Sequence, residues 1–444
     1  MTFHSFDFLL FCLVTAAGYF LLPQFRRSIL LFASLFFYAY FSVFLALLLL
    51  FTAWLNQRCM LAMQKKDEGR KRQLLYTAVL WDLGVLFYYK YLTFFLQVGQ
   101  DIFPRLHVPH LEILLPAGIS FYTFQMIGAL VDRYRSSASP VPGFLDFTLF
   151  CFYFPQIMAG PIERLDRLLP QLQRPGISRT RIQSGLWLCL GGLIKKVVIA
   201  DSLASSVDPL LGEKNLLATL VAAGAFALQI YADFSGYTDL ARGLSRIAGI
   251  GLSCNFRFPL FAITPTDFWR RWHITLGAFL RDYVYIPLGG NRHGLWLSLR
   301  NLLVVWILTG LWHGASYGFL LWGLHCFFFL AISRLWLDGF FERQKWCGYL
   351  FTFFTFSLGL LHFRPEEILF TPAVPGGAFF SALLPVLIFS SMLLMLDLWQ
   401  YLRPRQLTKA LHSPLTGGFL LGVGWILIAL FTQDQKDDFF YFQF

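Results

Sequence analysis

The sequence predicts an all-α integral membrane protein, a bundle of roughly ten or eleven transmembrane helices with re-entrant and interfacial helices. Three observations carry that reading. The 444 residues are 57% hydrophobic and 14% charged, against about 25% charged for an average soluble domain. Apolar windows follow one another along the whole chain. Lys and Arg fall in short runs between those windows rather than on one clustered face.

A span needs roughly 20 mainly apolar residues. The windows are 7–22, 28–54, 74–98, 111–131, 144–158, 183–206, 214–232, 297–312, 315–337, 345–362, 378–400 and 416–432. Several are short or rich in Gly and Pro, and these are the expected re-entrant and interfacial pieces. The 51 Phe and 13 Trp suit a surface turned to lipid, with rings anchored at the headgroups. The first window lacks a basic region before it and a small-x-small cleavage pattern, so it reads as a retained span rather than a signal peptide. No linker, internal repeat or sizeable soluble stretch divides the chain. Residues 1–444 therefore read as one membrane domain, with N-terminal spans over 1–110, a motif-bearing core over 111–337 and short C-terminal spans over 338–444.

The net charge of +11 resides in the runs Lys65–Arg72, Arg164–Arg181, Lys195-Lys196 and Arg403, Arg405 and Lys409. Nucleic-acid binding requires a basic face on a soluble domain, so no nucleic-acid partner is expected. Loops of this kind face the cytoplasm and anionic membrane lipid. Arg26-Arg27 and the larger Lys65–Arg72 run flank the window 28–54, and weighting the larger run puts the N-terminus inside. The seven cysteines are scattered without a CxxC pair, which argues against a disulfide framework and against a metal site.

The densest polar stretch, TPTDFWRRWHITLGAFLRDYVYIPLGGNRHG (Thr264–Gly294), interrupts the apolar blocks. Read as a helix, it places Phe268, Trp272, Leu276, Phe279 and Tyr283 on one stripe, with Asp267, Arg270, Arg271, Arg281 and Asp282 largely off it. That describes an amphipathic helix at the membrane interface, ended by Pro287 and the Gly289-Gly290-Asn291 turn. A solvated anchor helix has the same pattern. His273 among Trp269, Arg270, Arg271 and Trp272 adds a second reading, in which cations and ring faces hold an anionic cofactor or orient a substrate.

His313 lies in a following apolar span, where an ionisable side chain is costly and hence a functional candidate. Gly310, Gly314 and Gly318 repeat every four residues around Trp312 and His313, a ridge that lets a helix or a flat ligand approach the backbone. A hydrogen-bonded packing histidine remains the plainer alternative, and for His325 it is the favoured one. An imidazole suits acyl transfer, because it takes a hydroxyl's proton and returns it later. Upstream, Asp239 and Arg242 have the spacing of a helical ion pair, while Asp233 beside Tyr231 and Ser235 reads as lining a polar cavity. LLPAGISFYTFQ (114–125) and FPQIMAGPIER (154–164) carry Pro and Gly within apolar sequence, as broken, cavity-lining helices do, although a simple kink reads the same way.

These strings, with YADFSGYTDLARGL, FWRRWHITLGAFLRDYVYIPLGGNR, LTGLWHGASYGFLLWGLH and the terminal FFYFQF, resemble in order those of the membrane-bound O-acyltransferases (MBOAT). The nearest likeness is to the bacterial branch serving alginate and peptidoglycan O-acetylation, with D-alanyl transfer to teichoic acid a related chemistry. Leu260 and Tyr317 depart from that pattern. The resemblance implies a bundle around a central tunnel, with His313 at the transfer point and His273 as the second family histidine. It implies tunnel or donor roles for Trp269, Arg270, Arg271, Trp272, Asp282, Asn291, Trp312, Gly310, Gly314, Tyr231 and Asp233. It further implies an inner-membrane location, no permanently bound cofactor, and acetyl-CoA or another acyl thioester as donor. The acceptor is expected to be a polysaccharide or peptidoglycan hydroxyl, and a separate extracytoplasmic SGNH-type acetyltransferase the partner. A transporter without acyl chemistry and a non-catalytic scaffold are the competing classes; the first needs two matching halves, which the sequence lacks.

Overall fold

The computed structural model describes residues 1, 5–64, 66–105, 111, 113–136, 140–213, 215–364, 378–402, 411 and 413–432. Lys65, Arg403, Arg405, Lys409 and the terminal FFYFQF string lie outside these. Every regular element among the described residues is helical. That is the solution hydrocarbon imposes on a chain that must satisfy its backbone internally.

Among the described residues, seven helices are long and apolar enough to cross a membrane, or eight if one bent pair counts as a single span. That pair is α1 (Phe6–Leu21) with α2 (Arg26–Ala39), bent by 112° at Pro23. The window 28–54 is thus not one span: the chain breaks after α2, and Ser42 caps α3 (Val43–Met63) by accepting from Leu45 N at 3.4 Å. The helix α4 (Glu68–Leu86) runs through a π-turn into α5 (Leu92–Ile102). Windows 111–131 and 144–158 hold α6 (Ile119–Arg135) and α7 (Phe144–Phe152), of 17 and 9 residues. The helices α8 (Leu165–Gln173), α9 (Arg179–Leu193), α10 (Asp201–Gly212) and α11 (Leu216–Ile247) follow.

The polar insert is not one helix. It forms α12 (Pro265–Arg271), capped by Thr264, and α13 (Ile274–Leu280), then a π-turn over Arg281–Tyr285. The remaining elements are α14 (Leu295–His313), α15 (Tyr317–Ile332), α16 (Asp338–Arg343), α17 (Lys345–Leu360), α18 (Ala378–Leu402) and α19 (Pro414–Phe431).

The chain forms two compact units: Met1–Gly185 with Leu244–Ser253, and Leu186–Gly243 with Cys254–Phe444. In the first, the two Pro- and Gly-bearing strings interlock. Gly118 starts α6 at φ 71°, and a Cβ there would lie 2.2 Å from the Ile157 carbonyl oxygen. Gln125 donates to the Phe150 carbonyl at 2.8 Å and accepts from Gln156. Glu163 accepts from the backbone N–H and hydroxyl of Ser253, and Gln171 bonds both backbone groups of Gly251. The motif's Glu163, with Gln171, thus holds the segment from Gly251 to Ser253.

In the second unit glycines set a close crossing of two helices. A Cβ on Gly310 of α14 would lie 2.3 Å from the Phe319 carbonyl oxygen, and one on Gly323 of α15 2.5 Å from that of Trp306. The glycine ridge is therefore a helix–helix seam, and Gly314 is covered by the Phe319 ring. Side-chain packing is the association force available in lipid. Gly323→Val should cost about 1–3 kcal/mol or more through overpacking, whereas Gly418→Ala, with open space around it, should be silent. Melting temperatures of the two variants in detergent test this, and equal values would refute the seam.

Candidate functional site

All the site geometry below lies within the second unit. The insert breaks at Trp272-His273, where His273 takes the left-handed conformation (φ 42°, ψ 54°). A non-glycine residue there stores of order 1–3 kcal/mol and persists only where neighbours over-determine it. Here the chain around Asn255 supplies those neighbours. Arg257 N–H donates to the Arg271 carbonyl and Ile274 N–H to the Asn255 carbonyl, each at 3.0 Å. The Asn255 side-chain oxygen accepts from the Thr275 hydroxyl at 2.6 Å. A segment some twenty residues upstream thus supplies the partners that a continuous helix would have supplied itself.

The break aims His273 inward, and it is buried. Its ring meets Phe234 of α11 at 4.9 Å and Trp312 of α14 at 5.6 Å, between centroids. Trp312 in turn meets His313 at 4.9 Å, so one indole lies between the two histidines. His313, the last residue of α14, is also buried and is surrounded by Trp322 at 4.7 Å, Phe363 at 5.6 Å and Phe319 at 6.5 Å. Trp269 packs on Trp306 at 4.6 Å and Trp322 at 6.0 Å. Trp272 packs on Phe268, Phe356, Phe256 and Tyr231. Two histidines 40 residues apart in sequence thus share one aromatic shell.

Other expected residues go elsewhere. Arg270 and Asn291 are exposed, Arg271 pairs with Asp267 at 2.9 Å, and Asp282 pairs with Arg281 at 2.8 Å. The asparagine that latches the Gly-Gly turn is the buried Asn301, which donates to the carbonyls of Leu288 and Gly290. His325 is a packing residue, its Nε2 2.8 Å from the Thr355 carbonyl oxygen. The expected Asp239–Arg242 pair is present at 3.1 Å.

Asp233 belongs to an ionic cluster that the sequence disguised. A π-turn over Ile194–Ala200 presents Lys195 and Lys196 to α11, at a crossing where Gly192 and Gly236 meet backbone to backbone. Lys195 pairs with Asp239 at 2.9 Å, and Lys196 with Asp233 at 3.0 Å and Asp201 at 2.8 Å. Tyr231 donates to Asp397 of α18 at 2.6 Å. The lysines were read as a loop-facing run, and Asp397, 166 residues from Tyr231, carried no local signal beyond a charge within an apolar span.

The model of the membrane-bound O-acyltransferase family matches residues 30–347. The chain belongs to that family. It is 37% identical to a probable alginate O-acetylase of Pseudomonas putida over 85% of this chain and 80% of the relative. It is 34% identical to a peptidoglycan O-acetyltransferase of Helicobacter pylori over 79% and 74%. A teichoic acid D-alanyltransferase of Bacillus subtilis is 28% identical over 50% and 60%. The protein is a multi-pass membrane O-acyltransferase, and the transporter and scaffold classes fall away.

Two outcomes test the geometry. Asp233→Ala leaves a buried lysine short of a counter-charge and should cost about 3–5 kcal/mol, while joint replacement of Lys196 by Met and Asp233 by Leu should recover much of it. Thermal melting of the single and double variants reads this, and a silent single variant contradicts it. Burial also pushes the His273 imidazole down from 6.5 to about 3. Between those values the unfolded chain binds a proton that the folded chain does not. Stability is therefore lost as pH falls from above 6.5 towards 3. The drop in denaturation midpoint between pH 7 and pH 5 should shrink in His273→Asn; an unchanged drop refutes the assignment.

Proposed function

We propose that this enzyme moves an acetyl group from a cytoplasmic thioester, acetyl-CoA, to a hydroxyl of extracytoplasmic polysaccharide or peptidoglycan, with His313 as general base. The observation that carries the reading is the contact of Trp312 with both His273 and His313 inside a buried aromatic shell. His313 takes the proton of the attacking hydroxyl, whose oxygen bonds to the thioester carbonyl carbon. The C–S bond then breaks, and the departing thiolate recovers the proton. Such proton transfer contributes roughly 10²–10⁴ in rate. His273, held neutral, positions the indole rather than titrating.

The similarity to an alginate O-acetylase and a peptidoglycan O-acetyltransferase supports acetyl as the acyl group and a cell-envelope glycan as the destination. It also supports a bacterial inner membrane as the location. A tunnel delivers the donor's acyl group, and a separate extracytoplasmic SGNH-type acetyltransferase completes delivery. D-alanyl transfer to teichoic acid is the second reading, favoured by the more distant teichoic acid relative.

Envelope glycans from cells carrying wild-type or His313→Ala protein should differ by loss of base-labile acetyl esters, read by mass spectrometry, with the variant still eluting as folded protein. Wild-type ester levels in that variant would sink the assignment. Loss of D-alanyl rather than acetyl esters would transfer it to the second reading.

A further inference from the structure

Resting on the placement of the reaction at His313, we propose that the indole N–H of Trp322 is the hydrogen-bond donor that holds the substrate's carbonyl oxygen as it becomes an oxyanion. Trp322 is 2% exposed, and its Nε1 has no acceptor among the described residues. Burying an amide-like donor without an acceptor costs a few kcal/mol, and native structures rarely tolerate it without a reason. The residue is not a peripheral ring. It lies edge-on to His313 at 4.7 Å between centroids.

Its position is fixed from several sides. Trp306, Trp269 and Phe363 pack on it at 5.9, 6.0 and 5.3 Å. The Gly310–Gly323 seam brings α15, which carries Trp322, hard against α14, which carries His313. A rigid donor beside the base, in a water-poor apolar shell, meets the requirement for stabilising charge that appears only in the transition state.

The electrons balance simply. As the acceptor oxygen bonds to the acyl carbon, the carbonyl π pair moves onto oxygen, where the Trp322 N–H donates to it. The proton of the acceptor rests on His313. When the π bond re-forms, the thiolate leaves, and His313 returns the proton to it.

The test uses the full chain in cells, reading the initial rate at which base-labile acyl esters accumulate on envelope glycan, beside the melting temperature of the purified protein. Trp322→Phe should slow accumulation roughly 10²-fold while melting at or above the wild-type temperature, because an unsatisfied donor has been removed. Replacement of Trp322 by β-(3-benzothienyl)alanine, which keeps the shape and exchanges N–H for sulfur, should give the same loss. Wild-type rates in the benzothienyl protein overturn the proposal, whatever Trp322→Phe does, and leave the ring a packing role. A fully active His313→Ala protein instead removes the reading on which the proposal rests.

Discussion

Hydrocarbon offers a polypeptide no hydrogen bonds, so every interruption of a helix in this fold has to be met by another part of the chain. That constraint organises the site. The break at Trp272-His273 exists because Asn255, Arg257 and their backbone groups answer the exposed groups of Arg271, Ile274 and Thr275. Remove that answer and a single helix from Thr264 onward becomes the cheaper structure. His273 would then rotate with the helix and leave the indole of Trp312.

The ionic cluster follows the same logic by a different route. Buried ion pairs seldom add stability over a well-packed apolar replacement, and their best-attested use is to fix one register among several. Lys195 and Lys196 each find an aspartate on α11 at offsets that only one crossing permits, with Gly192 and Gly236 touching. Asp397 then ties Tyr231 to α18, and the Tyr231 ring backs Trp272. The polar residues of α11 thus set where the aromatic wall of the site stands.

What the sequence made legible was local. Helical class, the Asp239–Arg242 pair and the oddity of a histidine in an apolar span follow from local composition and spacing, whereas the stripe Phe268-Trp272-Leu276-Phe279-Tyr283 was read on one helix that the structure breaks in two. The insert's break was illegible because its partners lie about twenty residues upstream. The glycine ridge admitted either a helix or a flat ligand, and it is the helix that fills it: Gly310 faces a second glycine thirteen positions on, across a helix turn-round that spacing alone does not reveal. Asn291 was singled out for its place in the turn, although Asn301 holds that turn from the next helix. The window 28–54 hid its break because Ser42 is a small polar residue within an otherwise apolar run. Trp322 escaped attention since an indole in a lipid-facing sequence is ordinary until its N–H is found buried without an acceptor.

The contrast between His313 and His325 shows why position in the helix decides role. Both sit in the same stretch of sequence, and His325 has the more regular environment, mid-helix on α15. There one ring nitrogen is committed to the Thr355 carbonyl, which fixes the tautomer and uses a site of proton exchange for packing. His313 closes α14, where Gly314 turns the chain into an extended conformation and the helix no longer crowds the ring. Aromatic rings then pack on it from Trp312, Phe319, Trp322 and Phe363. In the role proposed for it, His313 would act in a low local dielectric, where an oriented N–H counts for more than in water. A histidine within α15 would have to break that helix to gain the same freedom, whereas the end of α14 supplies it without further cost.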